Sequence, residues 1–247
     1  MSRNQPDVVT VFGAVFARAG SKGVPGKNLR RIGGKSLLQI SVELGFAVSH
    51  IDRVLVSTDS PEIAELAGRL GAEVPYMRPD ELATDDAQEW SAWQHLAQHL
   101  LERGATGSDL LVSLPPTAPL RAAVDVERAI QLFNSDTFDL VLGVAESARN
   151  PWFNMVTRDE TFDIRILLEG SKGPVARRQD APTIFDITTV VYVTSLSYVV
   201  ESSGLFTGRV GSVVVPSERA IDIDTKFDLK VARLLAQSME GADIAES

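Results

Sequence analysis

Phe16-Ala-Arg-Ala-Gly-Ser-Lys-Gly-Val-Pro-Gly-Lys-Asn28 follows directly on an apolar run, Val8 to Phe16, that reads as a buried strand. The strand empties into a loop that carries Gly20, Gly23 and Gly26 together with Arg18, Lys22 and Lys27. Such a loop suits a polyphosphate: the glycines let the backbone turn sharply and bring N–H groups close to an anion, and the cations supply fixed charge. Pro25 stiffens the excursion. Glycines and lysines between a strand and a helix also make plain solvated turns, so the argument for a ligand is their density in an acidic protein. Known phosphate motifs do not fit. Walker A needs glycine where Leu29 stands before Gly34-Lys35-Ser36, and the three loop glycines do not space as G-x-G-x-x-G.

Working outward, Ser36 to Ser49 has helical spacing of Leu37, Leu38, Ile40, Val42, Leu44 and Phe46, and Arg53 to Ser57 reads as a second strand. Ser60 as N-cap, Pro61 at the first position and Glu62 in the first turn predict a helix to about Leu70. Gly71 to Val74 then reads as a short strand, Gln88 to Arg103 as a helix, and Asp109 to Leu114 as a buried strand. Asp125 to Phe133 predicts a helix and Leu140 to Val144 a strand. This alternation predicts an α/β fold, in which ligands collect at the carboxyl ends of parallel strands. The rigid Pro115–Arg121 turn is therefore expected beside the same crevice as the glycine loop. From Ala148 to Asp186 the alternation breaks, as it does in an excursion rather than another β-α-β repeat. Strands at Thr188–Thr194 and Ser212–Val215 and a last helix complete the reading.

The 247 residues suffice for one sizeable domain spanning 1–247, with no composition shift that marks a linker. A net charge of −9 argues against nucleic acid or anionic membranes as partners, so an anionic substrate must meet a local basic pocket. There are no cysteines, which excludes thiolate catalysis and is compatible with the cytoplasm. The N-terminal apolar run is too short to span a bilayer. His95 and His99 lie four apart on one helix, a spacing that permits zinc but lacks a third ligand.

Ala17-Arg18-Ala19-Gly20-Ser21-Lys22-Gly23 with Lys27-Asn28 resembles the A-R-x-G-S-K-G-x-x-x-K-N signature of the CMP-sugar-acid synthetases, the cytidylyltransferases of sialic acid and its bacterial relatives. Val56-Ser57-Thr58-Asp59-Ser60 and Arg78-Pro79-Asp80-Glu81-Leu82-Ala83-Thr84-Asp85 are similar to two further blocks of that family. The resemblance implies a three-layer, Rossmann-like nucleotidyltransferase fold with a mostly parallel sheet, in which 148–186 is a dimerisation arm. It also implies a cytoplasmic homodimer acting on CTP and a 2-keto-3-deoxy sugar acid. By it, Arg18 and Lys27 are catalytic and, with Gly20, Ser21, Lys22 and Asn28, bind the nucleotide, while Arg78 lies against the cytosine. Arg178 and Gln179, from an R-Q-x-x-P element, are assigned to the sugar acid. On the residues alone, Arg78 pairing with a nearby carboxylate and Arg178 as solvated surface are equally open.

Asp222-Ile223-Asp224 sits in a stretch where an extended chain puts both carboxylates on one face, beside where a hard cation could sit. The alternative is capping of the last helix by Asp224 or Thr225, with Asp228 in its first turn. The family's I-D-I-D-T-x-x-D-L block, which this stretch resembles, assigns Mg2+ to the two aspartates. Pro115 replaces a family glutamine, Ala118 a serine, Phe153 a lysine, Asp186 an arginine and Thr188 an asparagine. These departures concern the acceptor end and leave open another acceptor, or a nucleotide-binding protein without turnover.

Overall fold

The computed structural model describes residues 9–20, 23–84, 88–135, 137–168, 175 and 177–245. In chain order, β1 (Val11–Phe16) leads through the glycine loop to a small hairpin, β2 (Arg31–Ile32) and β3 (Lys35–Ser36). Gly33 and Gly34 both have positive φ, 55 and 81°, as a tight two-residue hairpin turn demands. Then come α1 (Leu37–Ala47), β4 (Arg53–Ser57), α2 (Pro61–Arg69), α3 (Glu89–Leu101), β5 (Leu110–Ser113), α4 (Ala123–Ser135) and β6 (Leu140–Glu146). The hairpin β7 (Val156–Arg158) and β8 (Ile164–Ile166) precedes β9 (Phe185–Ser195), α5 (Leu196–Glu201), β10 (Val210–Val214) and α6 (Lys226–Ala245).

Six strands form one sheet in the order β10-β6-β9-β5-β1-β4. Every pairing in it is parallel except those of β9, which runs antiparallel to both β5 and β6. Alternation along the strands feeds two cores. Val11 and Val15 of β1, Val54 and Val56 of β4 and Val112 of β5 face one side, with residues of α1, α2 and α4. Phe12, Ala14, Leu55 and Leu111 face the other, against Trp90, Trp93 and Leu96 of α3 and Leu196 and Val199 of α5. The result is the expected three-layer α/β sandwich with a mostly parallel sheet.

Gly71 to Val74, expected as a strand, contributes only one isolated parallel bridge, Leu55 to Glu73, and a second, Thr58 to Met77, follows it along the chain. Trp90 and Trp93 are buried and stack among Phe16, Tyr192 and Tyr198, as core residues do. Among the described residues no helix is long and apolar enough to cross a membrane.

β1 lies between β4 and β5, so the chain leaves it first to one side and later to the other. A crevice opens at the carboxyl ends of strands at such a reversal. A third apolar cluster sits beneath it: Val24 of the glycine loop and Leu37 pack with Ile223, Leu229 and Ala232. That cluster draws the last turn of the chain against the first.

Candidate active site

Ile223 is fully buried, and the two carboxylates that flank it, Asp222 and Asp224, lie near enough for the charge of one to act on the other. Lys27 reaches across from the glycine loop, its Nζ donating to the Ile223 carbonyl at 2.8 Å and meeting Asp224 Oδ1 at 3.1 Å. Two motifs almost two hundred residues apart in sequence thereby form one wall. Gly23 is required by this approach, since a Cβ there would run into the Asp224 carbonyl oxygen. Gly26 holds φ at 63° and turns the chain into the short helical turn of Lys27–Leu29. At Gly20 a Cβ would meet open space, so close packing does not explain that glycine. Ser21 and Lys22 lie outside the described residues.

The rest of the loop is braced. Asn28 is buried and donates through Nδ2 to the Arg18 carbonyl at 2.9 Å. Asp59, at the end of β4, accepts from the Ala19 N–H at 2.8 Å. Arg18 Nη1 donates to the Thr84 carbonyl at 2.6 Å, which ties the loop to the opposite lip. Arg18, Lys27, Asn28 and Arg78 all line one crevice of about 400 Å³ with Asp224, Pro115 and Thr117. The Pro115–Arg121 turn thus stands where the sheet topology puts a ligand-contacting loop.

In the Asp222–Asp228 stretch the capping reading holds at Thr225 and Asp228. Thr225 caps α6, with its Oγ1 accepting from Asp228 N at 3.2 Å while Asp228 Oδ2 accepts from Thr225 N at 2.7 Å. Capping therefore occupies Asp228 and Thr225, and Asp224 is left to Lys27. Burial pushes the Asp222 carboxyl above the ordinary aspartate range and the nearby Asp224 charge adds to this, while the hydroxyls of Thr117 and Thr189 pull partly back. Those hydroxyls bond each other at 3.1 Å, and Asp222 Oδ1 is buried without a hydrogen-bond partner. An orphaned carboxylate oxygen beside a second carboxylate fits a hard cation. Among the described residues no cluster of three or more candidate ligands occurs.

A family model described as cytidylyltransferase matches residues 13–194. The chain belongs to the cytidylyltransferase family. This cytidylyltransferase is 30% identical over 221 residues to the CMP-N,N'-diacetyllegionaminic acid synthase of Campylobacter jejuni, covering 90% of this chain and 92% of that one. It is 28% identical, over the same shares, to the post-translational flagellin modification protein B of Campylobacter coli. Among solved structures it is similar to a CMP:2-keto-3-deoxy-manno-octonic acid synthetase complexed with CTP, with a TM-score of 0.67 at 19% identity, over 93% of this chain and 99% of the other. That likeness speaks to the fold. The family match ends before Asp222 and Asp224, so their place in the crevice rests on the contacts described above.

At the other end of the cytidylyltransferase crevice Arg78 is buried. Its Nε donates to Ser57 Oγ at 3.1 Å and its Nη2 to the Ser57 carbonyl at 2.6 Å, and it lies over the Phe16 ring. Burial lowers its pKa. Among the described residues no carboxylate forms an ion pair with it, which sets aside the reading of Arg78 as a surface salt-bridge partner.

Two further arginines, neither assigned a role from the sequence, shape the site. Arg121 is fully buried, its pKa lowered to about 9 by desolvation. It donates to the carbonyls of Pro115 at 2.6 Å and Val190 at 2.8 Å, pinning the proline turn to β9. Arg219 makes a two-pronged pair with Asp125 of α4, at 2.8 and 2.9 Å, and anchors the chain just before Asp222. Asp125 is buried and Arg219 only partly so. Arg219→Met is expected to cost about 2–3 kcal/mol, somewhat below the figure for a fully buried pair, because it strands a buried carboxylate. Urea denaturation checks this, and an unmoved midpoint would refute it.

Arg178 and Gln179 lie elsewhere. They line a separate hollow with Ser147, Asn150 and Pro182, and Arg178 Nη2 donates to the Ser147 carbonyl at 3.0 Å. Within one chain the structure does not bring them to the nucleotide crevice. His95 and His99 both pack on Tyr76, with ring centroids 4.4 and 4.8 Å apart, as packing residues.

Proposed function

We propose that this cytidylyltransferase joins CTP to a 2-keto-3-deoxy sugar acid of the nonulosonic type, releasing pyrophosphate. The observation that carries the reading is the Lys27 bridge, which ties a glycine-rich cationic loop to Ile223 and Asp224 at one crevice. Relatives named as synthases or cytidylyltransferases of legionaminic, N-acylneuraminic and pseudaminic acids support the acceptor class. Absence of cysteine and use of CTP fit a cytoplasmic enzyme.

In the reaction, the anomeric hydroxyl oxygen of the sugar acid bonds to the α-phosphorus, the bond from that phosphorus to the bridging oxygen breaks, and pyrophosphate leaves. The hydroxyl proton passes to solvent. No covalent nucleophile is needed, since such transfers depend on alignment and charge neutralisation. Arg18 and Lys27 hold the phosphates, the latter rigidly because the Ile223 carbonyl fixes its ammonium. Asn28 keeps the loop backbone in shape through the Arg18 carbonyl, and Arg78 donates to the base. Asp222 and Asp224 would hold Mg2+, which when bound neutralises phosphate charge and polarises the α-phosphoryl group.

The sugar acid's carboxylate needs a cation of its own. The β7–β8 hairpin exposes Val156, Phe162 and Ile164, and β9, which follows it in the chain, exposes Phe185 and Ile187, apolar side chains suited to a second copy of the chain. In a homodimer Arg178 and Gln179 would serve the partner's crevice. Arg178→Ala is then expected to raise the KM for the sugar acid about tenfold or more while leaving the KM for CTP within twofold, as loss of one charge-assisted contact does. Equal effects on both substrates would reject the assignment.

A pyrophosphate-release screen with CTP, Mg2+ and sialic, legionaminic, pseudaminic and octulosonic-type acids tests the proposal. Turnover with at least one acid is expected. Tight CTP binding without release across the panel would overturn it.

A further inference from the structure

Acidic residues outnumber basic ones by 33 to 24 and leave the chain at −9, yet one side of it is basic. Lys226, Lys230 and Arg233 stand four and three apart on α6, so they line one exposed side of the helix. Its other side is apolar: Leu229 and Ala232 are buried with Val24 and Ile32 in the cluster beneath the crevice. That packing seats the helix on the segment leaving the glycine loop, and Arg233 Nε donates to the Arg31 carbonyl at 3.0 Å. Arg30 and Arg31 are exposed on that segment, and Arg30 Nε turns back to the Pro25 carbonyl at 3.0 Å. Five cations from the two ends of the chain thereby lie on adjoining segments. Among the described residues none of them forms an ion pair. The carbonyls hold Arg30 and Arg233 in place without neutralising them.

This basic side begins at the crevice. Asp224, which lines it, stands two residues before Lys226, and Asn28, which also lines it, two before Arg30. From Lys226 to Arg233 an α-helix rises about 10 Å, which is about one Debye length at 0.1 M salt. All three charges therefore act at the mouth. Two carboxylates stand on the same side, but Asp224 is paired with Lys27 and Asp228 is taken up by the α6 cap. The opposite lip has the other sign: Asp80 and Glu81 are exposed there, beside Leu82 and Thr84 of the crevice wall. A basic lip facing an acidic one draws an anion in from the α6 side. We propose that this side steers the polyanionic nucleotide into the crevice, speeding the association of CTP with its magnesium and making no lasting contact with the bound ligand. A protein of net charge −9 repels such a ligand at long range, and a patch of unpaired cations offsets that repulsion along one approach. The inference rests on the proposed use of CTP.

The test is the association rate of CTP carrying a fluorescent ribose tag, read by stopped flow with Mg2+ and no acceptor. Wild type is compared with K226Q/K230Q/R233Q and K226E/K230E/R233E, each checked for native circular dichroism. Both replacements suit exposed helix positions and leave Leu229 and Ala232 in place. At about 50 mM salt the rate is expected to fall about threefold in the first variant and about tenfold or more in the second. Both should come within about twofold of wild type at about 0.5 M salt, where the Debye length is about 4 Å. Dissociation, measured by a chase of untagged CTP, and turnover at saturating substrates should change by less than about twofold, because steering acts on encounter alone. Equal association rates at low salt would overturn the inference. So would a deficit that persists at high salt or that appears in dissociation, since either would make the cations direct contacts. A wild-type protein that fails to bind CTP would overturn the proposed function, and this inference with it.

Discussion

Asp222→Asn is expected to lower magnesium-dependent turnover by about 10²–10³-fold, the scale of losing a preorganised charge-stabilising group, and at the same time to raise the thermal midpoint of the ligand-free protein. The two effects share a cause. Asp222 sits half-buried with an oxygen that no protein group satisfies, next to a second carboxylate. Its pKa lies above the ordinary value of 3.8, so the fold disfavours its charge. Linkage then fixes the sign: ionised Asp222 costs stability at neutral pH, and the cost fades as pH falls from the raised folded value to below the unfolded one. Asparagine removes the cost, so the variant's advantage should be full at neutral pH and vanish in acid. Mg2+ with CTP should then stabilise wild type far more than the variant, because only binding to the native state shifts the midpoint. Adding Asp224→Asn should abolish magnesium-dependent turnover with the fold intact. Melting curves with and without Mg2+ and CTP, beside pyrophosphate release, check all of this. A variant that melts lower and turns over normally would place the metal elsewhere.

Much of the sheet is legible because periodicity and capping are local. Arg53–Ser57 is recovered to the residue, and Ser60 caps α2 with Pro61 at its first position, as its hydroxyl acceptance from Ile63 N shows. What escapes is direction and partnership. Thr188–Thr194 reads as a strand from its β-branched run, yet side-chain alternation is the same for parallel and antiparallel strands, so the reversal of β9 has no local mark. Helix α5 is too short for a periodic signal, and the Gly33–Gly34 hairpin is easily taken for more loop. The site divides the same way. The glycine loop and Asp222–Asp224 announce themselves by composition and spacing. Glu89, which lines the crevice, is silent because a glutamate opening a helix is what the helix dipole favours anyway. Thr189, and the buried bracing part that Arg121 plays within its turn, are silent because their work depends on carbonyls and hydroxyls from other segments.

Lys27→Ala is expected to reduce turnover at least 10²-fold while costing only about 1 kcal/mol of stability, and the disparity is what separates function from scaffold. The ammonium is largely shielded, with 15% of the side chain exposed, but its partner Asp224 is 71% exposed, so water screens the pair and its net worth is near that of a surface ion pair. A 10²-fold loss of rate corresponds to about 2.7 kcal/mol of transition-state stabilisation, more than the bridge contributes to folding. The excess comes from an ammonium held in place before substrate arrives, by the Ile223 carbonyl as much as by Asp224. Lys27→Arg should not restore activity, since a planar fork cannot take the position of a point charge between a carbonyl and a carboxylate. Arg18→Ala should fall in the same range and also free the lip at Thr84. Steady-state turnover beside urea denaturation separates the outcomes. Rate loss that merely tracks the loss of stability would make Lys27 a tether between the first loop and the last helix, and activity of Lys27→Ala within threefold of wild type would remove it from the chemistry.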